Sequence, residues 1–283
     1  MCYNFTMATL RYPKVDFHVH AFPDELAQRA LNHLVETYHV PAITDGTVSG
    51  LLKHMKSCGV SYSVIQPVAT KPSQVKSINE WASSRKEPGI ISFGAIHPDC
   101  ENVAEEIDRI ISLGLPGIKI QANWQGVYVD DARMYPIYEA AQRRLIIMFH
   151  AGKELAPTDE IRATPERLAR VLRDFPHLTM IAAHMGGYLM WNEVEEHLLT
   201  KDVYFDTSAC FCSDLPDARF LQLIRRHGAE RVLFATDSPF GNAKNDIHRL
   251  LSLGLDDEEL ELIFWGNAKR LLGAHLETRQ PAL

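Results

Sequence analysis

The sequence predicts an α/β chain folded as a (β/α)8 TIM barrel with an inserted helical segment between strands 1 and 2, on three observations. Short apolar runs end in metal-binding residue types at four places: Val15 to His20, Leu145 to His150, Met180 to His184 and Val232 to Asp237. Runs of this length read as strands buried on both faces, as in a parallel sheet. Strand candidates begin near Val15, Ser61, Ile90, Gly117, Leu145, Leu178, Val203 and Arg231. From the second onward they recur every roughly 25 to 33 residues, room for a strand, a loop and a covering helix. A doubly wound open sheet of the same elements usually binds nucleotides at a glycine-rich first turn, and no Gly-x-Gly-x-x-Gly follows the first strand. In a barrel all strand ends converge on one mouth, where His18, His20, His150, His184 and Asp237 would meet.

The first strand carries Asp16-Phe17-His18-Val19-His20. Alternate strand residues share a face, so His18 and His20 would hold one cation between them. Asp16 is expected on the same face one step deeper, where it either orients a ligand or is a structural polar group. In the long connection after this strand, Asp24 to Tyr38 and Val48 to Met55 supply extra helices near the mouth, read as an inserted lid or an oligomer contact. Glu101 to Leu113 places Val103, Ile107, Ile110 and Ile111 on one helical face and stops at Gly114. Thr164-Pro165 caps a helix whose Leu168, Val171, Leu172 and Phe175 pack on the barrel. The last helix, Asp256 to Leu272, opens with Asp256 and Glu259 in capping-box positions.

With 283 residues, 46% hydrophobic and 23% charged, the chain has the size and composition of one large α/β domain, residues 1–283. The formal net charge is -7, and the basic pairs Arg143-Arg144 and Arg225-Arg226 stand alone, so no basic stripe exists to track nucleic acid. Met1 to Lys14 lacks a basic stretch followed by an apolar one, and nothing approaches the ~20 apolar residues of a membrane span, so a cytoplasmic protein without a membrane partner is expected. The five cysteines lack Cys-x-x-Cys spacing and read as reduced thiols, Cys210 and Cys212 packed or lining the mouth at the end of the seventh strand.

The segments Asp16-Phe17-His18-Val19-His20, Gly94-Ala95-Ile96-His97-Pro98-Asp99, Gly117-Ile118-Lys119-Ile120, Phe149-His150-Ala151-Gly152, Ala183-His184-Met185-Gly186-Gly187, Thr236-Asp237-Ser238-Pro239 and Gly266-Asn267-Ala268-Lys269-Arg270-Leu271-Leu272 occur in that order over nearly the whole chain. At these residues the chain resembles the amidohydrolase superfamily, within it the amidohydrolase-2 group that includes the aminocarboxymuconate-semialdehyde decarboxylase-like enzymes. The resemblance implies a divalent metal bound by His18, His20 and His150 with Asp237, His184 being either a catalytic base or a ligand of a second metal. Many superfamily members carry a carboxylated, metal-bridging lysine at the end of the fourth strand, about where Lys119 falls. The amidohydrolase-2 group is usually mononuclear, which gives Lys119 a site-lining role. Close relatives often carry His-Pro where this chain reads Gln121-Ala122, and Gln121 would hydrogen-bond a substrate rather than shuttle a proton.

Three neutral imidazoles and a carboxylate suit Zn(II) first, and also Mn(II), Fe(II) or Co(II). The leading expectation is a metal-dependent hydrolase opening a small ester, lactone or amide with a metal-activated water, His184 and Asp237 moving protons. The alternative is a non-oxidative decarboxylase of a small unsaturated or aromatic carboxylic acid, its carboxylate held by the metal. The partner is a small-molecule substrate, and a homo-oligomer stays open. Around the mouth, His97 either lines the site or bonds a loop carbonyl, and Trp124 and Tyr128 either grip a planar substrate or pack their loop. Lys153 and Arg162 either bind a substrate carboxylate or are solvated.

Overall fold

The computed structural model describes residues 12–156, 158, 160–210 and 213–282. Cys2, Cys212 and most of the segment read for a leader lie outside them. Among the described residues the short strands are β1 Val15–Val19, β2 Tyr62–Ile65, β3 Ile90–Ser92, β4 Gly94–Ala95, β5 Gly117–Ile120, β6 Ile146–Phe149, β7 Thr179–Ala182, β8 Tyr204–Asp206 and β9 Val232–Leu233. They pair in parallel in the orders β1-β2-β3 and β4 through β9. β3 and β4 are halves of one stave interrupted at Phe93, whose N–H still donates to Ile65 O at 2.9 Å, so the strands fill the eight predicted places. The ring closes where Phe17 N–H donates to Phe234 O and Asp237 N–H to His18 O, both at 2.9 Å. A barrel of parallel strands has no open edge, and each return of the chain needs a covering segment.

Those covers are α1 Asp24–Tyr38, α2 Val48–Cys58, α3 Val75–Ser83, α4 Val103–Ser112, α5 Ala122–Gln125, α6 Tyr135–Ala141, α7 Pro165–Asp174, α8 Trp191–His197, α9 Asp217–His227, α10 Ala243–Ser252, α11 Asp257–Glu261, α12 Asn267–Leu272 and α13 Ala274–Glu277. The expected caps form: Thr164 Oγ1 accepts from Arg167 N–H, and Asp256 and Glu259 cap reciprocally. The predicted single helix Asp256 to Leu272 is instead broken by a π turn over Leu262–Gly266. No described helix is long and apolar enough to cross a membrane.

Two apolar layers hold the barrel. Phe17, Val64, Ile91, Phe93, Ile146, Met148, Ile181 and Leu233 fill its inside. Ile118, Ile120, Ile147, Phe149, Met180 and Phe205 belong to the layer shared with helical residues such as Ile107, Ile110, Leu168, Val171 and Phe220. Alternation along β5 and β6 therefore sends Lys119 inward at the top of the barrel and carries His150 to the rim above Met148.

The expectation that Asp16 shares the face of His18 and His20 is corrected by a bulge in β1. Asp16 pairs with Ser63 and Val19 with Ile65, three steps on one strand against two on the other. One extra residue reverses the facing of the residues before it relative to those after it. Asp16 therefore turns outward, its carboxylate accepting from Thr236 N–H at 3.0 Å and Thr236 Oγ1–H at 2.6 Å, while His18 turns into the mouth.

The insertion lies between β1 and β2 as expected. Thr47 caps α2, and α1 ends at His39 in the left-handed region. The Tyr38 ring stacks on Trp124, centroids 6.2 Å apart, so the end of α1 reaches the β5 side of the mouth. On the β6 side, Tyr188 N–H donates to Ala151 O at 2.8 Å and Lys153 N–H to Tyr188 O at 2.9 Å, joining the loop after His150 to the loop after His184. Gly152 is required at that junction: its φ is +88°, and a Cβ would lie 2.2 Å from Tyr188 N.

Candidate metal centre

Barrel closure places the ends of β1 and β9 side by side, and three electron-pair donors meet there. Ligand atoms of His18, His20 and Asp237 lie within 4.8 Å of one another. His20 Nδ1–H donates to Gln66 O at 2.9 Å, which leaves the lone pair on Nε2, 3.1 Å from Asp237 Oδ1. His18 Nδ1–H donates to Asp206 Oδ2 at 2.9 Å, which leaves its lone pair on Nε2, 3.6 Å from the same Asp237 oxygen. The His20 lone pair and the Asp237 oxygen face each other with no hydrogen between them, and with His18 Nε2 beside them this set of two imidazoles and a carboxylate fits a divalent cation. Lys119 Nζ donates to His18 Nε2 at 3.0 Å, beside the cluster.

Among the described residues the predicted ligand His150 belongs to neither group of ligand atoms gathered within 4.8 Å and reaches the cluster through His184. His184 Nε2 is 3.1 Å from His150 Nδ1, and the His18 and His184 rings stack with centroids 5.5 Å apart. His184 and Asp237 hold φ values of 58° and 65°, conformations that cost a non-glycine residue about 1 kcal/mol or more and that cluster at functional sites.

Asp206, which sequence reasoning did not single out, ties the site together from behind. Fully buried at the end of β8, it accepts from His18 Nδ1–H on one oxygen and, on the other, from His184 N–H at 2.9 Å, Ser208 N–H at 3.0 Å and Ser208 Oγ–H. Ser208 Oγ in turn lies 2.8 Å from His184 Nδ1. One carboxylate thus fixes both the ring of His18 and the tautomer of His184, leaving each with a lone pair on Nε2. Its signal was present: Val203-Tyr204-Phe205-Asp206 is a fifth apolar run ending in a ligand-type residue.

The remaining candidates divide. Gln121 caps α5 and its Nε2–H donates at 3.1 Å to Glu154, a second residue the sequence reading missed. Trp124 is exposed at the mouth against Tyr38. The contacts of His97 run to Asp99, whose N–H donates to its Nδ1 at 3.2 Å, and not to the histidine cluster. The Tyr128 ring is covered by Arg162 and Arg167, and Arg162 also pairs with Glu160, so both pack the loop.

Burial sets the electrostatics. It presses the pKa of His18 down to about 4, with Lys119 adding to the effect, and that of His184 to about 3, with His150 adding. It lowers Lys119 to about 8 and raises outward-facing Asp16 to about 7. Burial alone would raise Asp237, but His18 and His20 together hold it well below the usual carboxylate range. Elsewhere burial lowers His227 to about 4 and raises Asp246 to about 8.

These shifts predict the stability profile of the metal-free protein. The three depressed histidines refuse protons that the unfolded chain takes up below 6.5, so stability falls as pH drops from 6.5 toward 4. Asp16 and Asp246 keep protons that the unfolded chain sheds above 3.8, so their contribution is lost as pH rises through about 7 and about 8. Between pH 4 and 6.5 the three histidines outweigh the two aspartates, so the melting temperature of chelator-treated protein should peak near pH 6.5. Above about pH 8 the lowered Lys119 adds stability again, so the test lies below that: a melting temperature still rising between about pH 6.5 and 7.5 would show that these groups are not held as described.

Against known proteins, the amidohydrolase family model matches residues 15–274. The chain belongs to this amidohydrolase family. A search of curated proteins finds no match. Among solved structures, an uncharacterized TIM-barrel protein from Bordetella bronchiseptica is 20% identical, covers 92% of this chain and 98% of its own, and superposes with a TM-score of 0.70. The 2,6-dihydroxybenzoate decarboxylase from Rhizobium is 18% identical over 93% of this chain and 99% of its own, TM-score 0.67. A dihydroxybenzoic acid decarboxylase from Polaromonas sp. JS666, solved with bound manganese and the inhibitor 2-nitroresorcinol, is 16% identical over 93% of this chain and 97% of its own, TM-score 0.66. At these identities the likeness is one of fold.

Proposed function

We propose that this amidohydrolase is a metal-dependent lyase that removes carbon dioxide from a small planar aromatic or unsaturated carboxylic acid, with His18, His20, His150 and Asp237 holding the cation. The observation that carries the reading is the convergence of the His18 and His20 lone pairs on Asp237 beside Lys119. That combination suits a cation together with a substrate carboxylate. The decarboxylases of similar fold, one of them with manganese, support the same choice and put Mn(II) beside Zn(II) as the cofactor. When bound, the cation supplies a chelating centre for the substrate carboxylate and polarises a neighbouring oxygen.

The chain's own residues do the rest. Lys119, the ammonium at the floor of the mouth, pairs with the substrate carboxylate and orients it. Trp124 and Tyr38 hold the planar ring against the β5 side. The carbon that loses carbon dioxide must gain a proton. His184, neutral, with its Nδ1–H held by Ser208 and its Nε2 lone pair 3.1 Å from His150 Nδ1, relays that proton between solvent and substrate.

The test is a panel of hydroxybenzoates and unsaturated acids in D2O, with Mn(II) or Zn(II) added. Carbon dioxide should be released with one solvent deuteron in the product at the vacated carbon. A hydrolytic second reading is favoured by Glu154, a nearly buried carboxylate in the mouth that opposes a second anion and suits a neutral carbonyl compound. Opening of esters or lactones with no carbon dioxide from any acid, and a rate rising through neutral pH, would replace the lyase reading with that one.

A further inference from the structure

We propose that Glu154 is the positioning residue for His150: it holds the imidazole so that Nδ1 faces the cation, and it links this ligand to the inserted helix α1. The inference rests on the ligand assignment above. The Glu154 side chain is only 7% exposed, and among the described residues its one ion-pair partner is His150, the Lys119 charge acting on it from further off. A carboxylate so buried needs hydrogen-bond donors aimed at it. Here two meet on a single oxygen, Gln121 Nε2–H at 3.1 Å and His150 Nε2 at 3.2 Å.

The tautomer follows from counting acceptors. His150 Nε2 also lies 3.1 Å from the Lys153 carbonyl, which can only accept, so Nε2 carries hydrogen and the lone pair of the neutral ring is on Nδ1. On the other side, His184 Nδ1 faces the Ser208 carbonyl at 3.2 Å and so carries hydrogen as well, leaving its Nε2 as an acceptor. His150 Nδ1 and His184 Nε2 therefore meet at 3.1 Å as two lone pairs, a pairing that only a shared proton or a cation stabilises. Each candidate ligand histidine thus has an acceptor behind it: Gln66 O for His20, Asp206 for His18, and Glu154 with Lys153 O for His150. Such outer acceptors orient a ligand ring and raise its donor strength, and their loss typically weakens metal binding about 10- to 100-fold.

Glu154 differs from the other two in facing the insertion. The Tyr38 phenol at the end of α1 has its pKa raised, first by burial and then by the Glu154 charge beside it. The loop that carries Glu154 is clamped to the loop after His184 at the crowded Gly152–Tyr188 junction, which fixes the backbone two residues before Glu154.

The experiment is metal titration of the full chain with Zn(II) and Co(II), by competition with a chromophoric chelator, for wild type, Glu154→Gln and Glu154→Ala. Binding should weaken about 10- to 100-fold in Glu154→Ala and by less in Glu154→Gln, which keeps a neutral acceptor. The Co(II) absorption bands of both variants at saturation should shift, a readout that lost stability alone does not move. If Glu154→Ala fails to fold, Glu154→Gln decides. Wild-type affinity and unchanged Co(II) bands in the variants overturn the role of Glu154, whereas a wild-type chain that takes up no metal overturns the ligand assignment beneath it.

Discussion

Replacing Asp237 by asparagine is expected to strip the divalent cation from the protein and to lower turnover by about 10³-fold or more, the scale of losing a principal charge-stabilising group. The substitution is close to isosteric, so its effect is one of charge. Asp237 Oδ1 is the single oxygen faced by His20 Nε2 at 3.1 Å and His18 Nε2 at 3.6 Å, and without its negative charge only neutral imidazoles remain, which bind a divalent cation more weakly. The backbone should survive, because Asp237 sits at φ 65° and asparagine tolerates that region as well as aspartate does. The hydrogen bond from its N–H to His18 O, which closes the barrel, does not involve the side chain. Equilibrium dialysis followed by elemental analysis reads the metal content, and a melting curve reads the fold. A variant that keeps one equivalent of metal at wild-type affinity would remove Asp237 from the ligand set.

How far the sequence carried the site depends on which physical signal each residue leaves. His18, His20, His150, His184 and Asp237 end apolar strands, and a barrel brings all strand ends to one mouth, so their gathering there was legible from pattern and fold class together, although His150 meets the others only through His184. Asp206 bears the same signature, but an acid ending a strand beside polar Thr207 and Ser208 reads as the start of a loop. Asp16 went wrong for a geometric reason: strict alternation assigns its face, and a one-residue bulge between Asp16 and Val19 leaves no trace in composition. Glu154 and Tyr38 carry no periodic signal, one in a loop and one at a helix end, and only the packing of β6, α5 and α1 around the mouth brings them together. The π turn within Asp256 to Leu272 was hidden because its residues keep a helical apolar pattern.

His184→Asn is expected to keep the metal and to lose about 10²-fold or more in turnover, the range for removing a positioned proton carrier. Asparagine rather than alanine is the informative choice. At φ 58° an alanine adds backbone strain, which would confuse lost chemistry with lost stability, whereas asparagine accepts the conformation. The backbone N–H of residue 184 would still donate to Asp206, so the carboxylate behind His18 stays satisfied. The variant loses an imidazole whose Nδ1–H is held by Ser208 and whose Nε2 carries the lone pair facing His150, on a ring that burial keeps neutral down to about pH 3. Turnover and metal content measured on the same preparation separate the outcomes. Full metal with turnover near the wild-type rate would take His184 out of the proton path. Loss of a metal equivalent would make it a ligand, joining His18 and Asp206, whose ligand atoms lie with its own within 4.8 Å of one another.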